Sequence, residues 1–387
     1  MPPLTKTPPP HLNGSANGLT QSASLDYLIH SYPYLDLEVT SDNLFEGAWN
    51  VVSSVFPIWK RNNVKFTQCK DGITNQSFVV QPIDVPGHLM AFAVVRVVHT
   101  LDNVSVLVRA YGKGSELIID RKQELINIIT LSAQNLCPPL YARFKNGLVY
   151  GFIEGTVSTV EDMFDTEKAN MIAVKLARWH KVQPLADSDP NNHEDTKLWS
   201  TMRKWMDSVP AQYEDPSTQT TFAKSIDMEF LKHELETLSA KLTSLNSPIV
   251  FSHNDLLYGN VIYAQNQAFF IDYEYGMLAP RGFDIGNHFN EFAGFECNYD
   301  NYPNKVFQMQ WFEWYLTASS GSQPSEEEKE KLFQEVEHYS LASHLYWGLW
   351  ALCQAMVSDI DFSYMDYAVL RFSEYKKRKL QVIEHSQ

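Results

Sequence analysis

The chain has 387 residues, of which 44% are hydrophobic and 13% aromatic, and carries a formal net charge of −15. That length and apolar content suit two lobes with substantial cores and exclude a disordered chain. The acidity argues against duplex nucleic acid, whose partners are cationic, and suits a cationic substrate.

In chain order, residues 1–24 are rich in Pro, Ser, Asn and Gly and lack an apolar h-region, so a disordered tail is expected rather than a signal peptide. No apolar run approaches the roughly 20 residues that span a bilayer, so no integral membrane segment is expected. Cys69, Cys137, Cys297 and Cys353 are scattered, with no CxxC pair. Reduced thiols in a cytoplasmic protein are the expectation.

Residues 64–67, 77–80, 93–98 and 104–111 are β-branched or aromatic runs broken by Gly, Asp and Pro, and read as strands. Residues 116–134 have near-helical apolar spacing. Segments 140–144 and 148–153 flank the Lys145-Asn146-Gly147 turn as two further strands. From Glu154 onward the pattern is helical, with periodic segments at 166–182, 228–245 and 341–357. The polar stretch 186–197 reads as a solvated loop or a lid. Short strands are expected at 249–251, 261–263 and 269–271. The fold class is therefore α+β, with a lobe boundary near residues 150–156. A nucleotide-binding lobe is expected over 25–152, built on a small antiparallel sheet with one main helix. A larger, mostly helical catalytic and substrate-binding lobe is expected over 153–387.

The chemistry concentrates in Phe251-Ser-His253-Asn-Asp255-Leu-Leu-Tyr-Gly259-Asn260 and Ile271-Asp272-Tyr-Glu-Tyr275. Phosphoryl transfer needs a carboxylate to orient and deprotonate the attacking hydroxyl, and oxygen ligands that hold Mg²⁺ against nucleotide phosphates. Asp255 suits the base, with Asn260 and Asp272 as metal ligands. His253 is read as a structural hydrogen-bonding residue and Gly259 as a backbone turn closed to other residues.

The segment from Asp255 through Arg281-Gly-Phe-Asp284-Ile-Gly-Asn-His-Phe-Asn-Glu291 resembles the choline/ethanolamine kinase family. So do Ala342-Ser-His-Leu-Tyr-Trp347-Gly-Leu-Trp350-Ala and Arg371-Phe-Ser-Glu-Tyr-Lys-Lys. The resemblance spans about 65–379 and implies a two-lobed protein-kinase-like fold using ATP and Mg²⁺. It assigns Asp255 as base and Asn260 and Asp272 as metal ligands. It also implies that Lys70-Asp-Gly72-Ile-Thr74-Asn75-Gln76 covers the phosphates, that Arg109 neutralises them, and that Tyr150-Gly-Phe-Ile153-Glu154 is the hinge that meets adenine. Glu124 either orients Arg109 by a salt bridge or is a solvated helix-face acid beside Arg121 and Lys122.

Trp347 and Trp350, three apart on a helix, share one face. By periodicity they are core; the resemblance places them, with Tyr275 and Tyr367, around the amino-alcohol cation. It adds Glu291 as a nearby carboxylate, and Asp284 is expected to order its loop. A primary ammonium donates N–H bonds that a quaternary one lacks. The run 106–121, the 145–150 turn and Phe292-Ala-Gly294-Phe295 resemble the ethanolamine branch, with Glu296 or its neighbours expected to acidify the pocket wall. Ethanolamine is thus the expected substrate, with some activity on choline, at the first step of the CDP-ethanolamine route to phosphatidylethanolamine. Gly276-Met-Leu-Ala-Pro280 departs from the family pattern beside the expected pocket. A choline or aminoglycoside kinase and a catalytically silent kinase-like binding module are the rival readings. Oligomeric state stays open, a homodimer among the options.

Overall fold

A computed structural model describes residues 27–69, 91–112, 119–183, 197–358 and 362–384. The expected phosphate loop with Thr74, Asn75 and Gln76, the strand at 77–80 and most of the polar stretch at 186–197 lie outside them.

Six strands form the first sheet: β1 (Tyr34–Leu35), β2 (Val64–Cys69), β3 (Ala91–His99), β4 (Ser105–Tyr111), β5 (Leu140–Phe144) and β6 (Gly147–Gly151). Their order is β1-β5-β6-β4-β3-β2, antiparallel throughout except for the β1–β5 edge pair. Alternation sends Val95, Val97, Val106 and Val108 to one face, where they pack with Ala48, Val51 and Val52 of the Leu44–Val55 helix. That helix, like the helical residues 27–31, is additional to the single main helix expected over 25–152. The opposite face turns Val94, Leu107 and Arg109 toward a cleft. Gly147 is required where β6 meets β4, because a Cβ there would stand 2.0 Å from the Arg109 carbonyl oxygen.

The Arg121–Ala133 helix starts at Asp120, whose side chain accepts from the Gln123 amide at 3.0 Å. Its residues Leu125, Ile128 and Ile129 share a core with Trp179, Phe270, Tyr273 and Trp311, so this helix packs on the larger half of the molecule. Two small sheets sit there: β7 (Thr156–Val157) with β9 (Val261–Ala264) and β10 (Gln267–Phe270), and β8 (Ile249–Ser252) with β11 (Met277–Pro280). The departing segment 276–280 thus supplies strand β11, which pairs with β8 just ahead of His253 and Asp255.

Helices make up the remainder, among them Thr166–Trp179, Met228–Thr243, Arg281–Asn290, Glu326–Val357 and Tyr364–Lys379. The Glu326–Val357 helix begins well before the expected 341, at a capping box formed by Ser325 and Glu328. Its first turns are charged and solvated, which hides their helical nature from apolar periodicity. Among the described residues no helix is long and apolar enough to cross a membrane.

Candidate active site

β8 ends at Ser252 and delivers His253, Asn254 and Asp255 into the interior. Asn254 takes a left-handed conformation (φ 67°) and Asp272 does likewise (φ 61°), which asparagine and aspartate tolerate better than most residues. The turn assigned to Gly259 is therefore made elsewhere. Among the described glycines only Gly294 and Gly321 have positive φ, and Gly259 sits in a short 3-10 turn (Tyr258–Asn260).

Asp284 on the Arg281–Asn290 helix holds this loop. Its carboxylate accepts the His253 amide at 2.8 Å and the Asn254 amide at 2.7 Å, and lies 2.9 Å from His180 Nε2. Although burial raises it, these partners keep Asp284 below the usual carboxylate range. His253 donates from Nε2 to the Ile271 carbonyl at 2.9 Å and accepts the Asp255 amide at Nδ1. Burial keeps it neutral, so it serves as the structural linker expected.

Asn260 Nδ2 donates to the Asp255 carbonyl at 2.7 Å and to Asp255 Oδ2 at 2.9 Å. The Ile271 amide donates to the Asn260 carbonyl at 3.0 Å, which fastens the Asp272 segment beside the catalytic loop. Burial first, then the carboxylates of Glu291, Asp272 and Glu274, push Asp255 well above its ordinary range. Two loops thus bring Asp255, Asn260 and Asp272 into one acidic neighbourhood.

That donor set suits magnesium. Asn260 Oδ1 is buried without a hydrogen-bond partner, beside an excess of carboxylates that a divalent cation would neutralise. Among the described residues no three His, Cys, Asp or Glu side chains form a metal cluster. Two protein oxygen ligands, completed by phosphate and water oxygens, is the pattern by which Mg²⁺ is usually held.

Arg109 lies in the cleft within a buried charge network. It donates to Asp272 Oδ1 at 3.2 Å and to Glu274, and pairs with Glu124 at 3.5 Å. Arg121 also reaches Glu124 at 2.9 Å. Glu124 is fully buried, so of its two readings the solvated helix-face acid is wrong and the ion pair is right. Glu274 was not singled out from sequence; the left-handed turn at Asp272 (φ 61°) breaks the strand alternation that would have paired the two acids on one face. Asn127 anchors the segment by donating to the Tyr273 and Gly276 carbonyls at 2.9 and 2.7 Å.

The cleft offers about 630 Å³ of space, part of it open to solvent, and is lined by Val94, Leu107, Arg109, Tyr150, Ile153 and Asp272, among others. Apolar walls with one charged end fit a nucleotide.

A second cavity, which opens to solvent and offers about 320 Å³ of space with that opening included, is lined by Asp255, Leu257, Tyr275, Glu291, Phe295, Trp347, Trp350 and Tyr367. All five residues named for the amino alcohol meet Asp255 there. Trp347 donates to Asn287 Oδ1 at 2.6 Å and Trp350 to the Tyr275 hydroxyl at 2.8 Å, so each indole is locked. The Tyr275–Trp347 and Trp347–Trp350 centroids are 5.1 and 5.3 Å apart, edge to face. Glu296 does not acidify this wall: it is exposed, and its neighbour Phe295 lines the cavity instead. Periodicity could not decide this, because the residues after Gly294 (φ 64°) follow a turn with no fixed period.

A family model described as choline/ethanolamine kinase matches residues 66–376. The chain is 36% identical to a protein named probable ethanolamine kinase A from Dictyostelium discoideum, over 91% of this chain and 97% of that one. It is also 36% identical to ethanolamine kinase 2 of Rattus norvegicus, over 90% of this chain and 85% of that relative. Among solved structures, an ethanolamine kinase of Plasmodium vivax superposes with a TM-score of 0.73 at 25% identity, covering 94% of this chain and 95% of its own. A Cryptosporidium parvum choline kinase superposes at 0.68 with 22% identity, covering 88% and 97%, a likeness of fold alone.

Proposed function

This chain belongs to the choline/ethanolamine kinase family, and from that premise we propose that it transfers the γ-phosphoryl group of ATP to the hydroxyl oxygen of ethanolamine. The products are phosphoethanolamine and ADP, which opens the CDP-ethanolamine route to phosphatidylethanolamine. The observation that carries the reading is the meeting of Asp255 and Glu291 in one small aromatic cavity. A carboxylate for the hydroxyl and a carboxylate with ring faces for the cation lie within one volume suited to a small amino alcohol.

In this reading Asp255 orients the hydroxyl and accepts its proton as the oxygen–phosphorus bond forms. Its raised proton affinity, caused by burial and by neighbouring carboxylates, suits that task. Asn260 holds Asp255 in place by its amide and offers Oδ1, with Asp272, to magnesium. When bound, the ion offsets charge on the phosphates. Arg109 adds a fixed cation on the cleft side, and Tyr150 to Ile153 frame the adenine. Four free cysteines suit a cytosolic setting.

The rings of Tyr275, Trp347, Trp350 and Tyr367 also favour a quaternary ammonium, so choline is the second reading, as a poorer substrate. The test is Mg²⁺-dependent ADP release with ethanolamine, choline and an aminoglycoside at matched ATP. A higher kcat/KM for ethanolamine is expected. Preference for either other acceptor overturns the substrate, and tight ligand binding without turnover indicates a silent module.

A further inference from the structure

Arg371, on the Tyr364–Lys379 helix, is 2% exposed, and its guanidinium makes four hydrogen bonds at the amine end of the cavity. One nitrogen donates to Glu291 Oε1 at 3.1 Å and to the Tyr367 hydroxyl at 3.0 Å. The other donates to the Ser343 carbonyl at 3.2 Å and to its hydroxyl at 2.9 Å. Ser343 in turn donates to Asn287 Oδ1, the same oxygen that receives Trp347. One buried fork therefore connects three of the residues that line the cavity.

We propose that Arg371 is a positioning residue for the acceptor substrate: it fixes the Glu291 carboxylate and the Tyr367 ring and keeps Glu291 anionic toward the cavity. This role rests on the reading of that cavity as the amino-alcohol site. A carboxylate this deeply buried favours its protonated form unless a cation faces it. Burial raises Glu291, and Arg371 opposes the rise. Because Oε1 is taken by Arg371, Oε2 is left for an ammonium. The other titratable groups near the pair are Asp255 and Tyr258 on the catalytic loop, Cys297 and Tyr299 in the following turn, Tyr367 beside Arg371, and His344 on the Glu326–Val357 helix. Burial, then Arg371 and Arg378, hold His344 well below its ordinary value, so Arg371 is the cation hydrogen-bonded to Glu291.

The test is steady-state kinetics of the full chain with ethanolamine and ATP varied separately across pH. Arg371→Met raises the ethanolamine KM about tenfold or more near neutrality, with a much smaller change in kcat and in the ATP KM. The loss shrinks at alkaline pH, where Glu291 ionises unaided, so the acid limb of 1/KM moves upward. Arg371→Lys restores part of the affinity, since it keeps the charge but not the fork. In a Glu291→Gln background, Arg371→Met adds little further effect if Arg371 works through Glu291. An unchanged ethanolamine KM and pH profile in Arg371→Met, or independent multiplication of the two effects, overturns the proposal. Should Arg371→Met fail to fold, Arg371→Lys decides: a KM and pH profile identical to the parent's overturns the proposal, and an intermediate rise supports it. If the unsubstituted chain fails to turn over ethanolamine at all, the reading of the cavity falls instead.

Discussion

Asn260 donates one amide group to both the main-chain carbonyl and the side-chain oxygen of Asp255, at 2.7 and 2.9 Å, and leaves its own oxygen without a hydrogen-bond partner. A single residue thus holds the proposed base and keeps a buried oxygen available for the proposed magnesium ion. The five-residue spacing in the sequence makes that double contact possible, across one tight turn.

Asp255→Asn keeps the shape and can still accept from Asn260, but it cannot take a proton. Turnover should fall by about 10²–10⁴-fold or more, while ATP affinity, measured by fluorescence or calorimetry, changes little. Near-full activity would remove Asp255 from the role of base.

Asn260→Ala removes both the support for Asp255 and the proposed metal ligand. The Mg²⁺ concentration for half-maximal rate should rise about tenfold or more, and kcat should fall with it. A fall in kcat with no change in Mg²⁺ dependence would mean that Asn260 only holds Asp255.

Arg109→Met leaves Glu274, Glu124 and Asp272 buried without their shared cation. Breaking a buried pair on one side costs about 3–5 kcal/mol, to be read from the shift in denaturant midpoint. The ATP KM of the folded fraction should rise as well. Unaltered stability would show that Arg121, which already bonds Glu124, can satisfy the acids alone.

Trp350→Ala opens one wall of the aromatic cavity beside Asp255, proposed to hold the amine, and frees the Tyr275 hydroxyl. Loss of a ring face worth roughly 0.5–2 kcal/mol should raise the ethanolamine KM several-fold without moving the ATP KM. An equal effect on both substrates would place the indole in general packing.

Asp284→Asn weakens the acceptor shared by the His253 and Asn254 amides and removes the charge facing His180. The wild-type carboxyl is held below its unfolded value, so the stability it contributes is complete above the unfolded pKa of about 4. That contribution is lost as pH falls through the folded value. The stability gap between wild type and variant should therefore be widest near neutrality and narrow in acid. A pH-independent gap would assign the effect to packing alone.

Elements with strong local signals were legible in the residues alone. Valine alternation marked β3 and β4, the Lys145-Asn-Gly turn marked the β5–β6 hairpin, and apolar spacing marked the Thr166–Trp179 and Met228–Thr243 helices. The grouping of Asp255 with Asn260 and Asp272 was legible too, because a tight turn and a following strand need only short-range contacts. Which charges share the interior was settled by packing. Arg109 meets Asp272 and Glu274 across 163 and 165 residues, and Arg371 meets Glu291 across 80. Packing likewise put Phe295 rather than Glu296 on the cavity wall, and the left-handed turn of the catalytic loop fell to Asn254 rather than Gly259. Periodicity tells which face a residue occupies, but Coulomb energy depends on distance and on exclusion of water, and both arise only when remote segments pack.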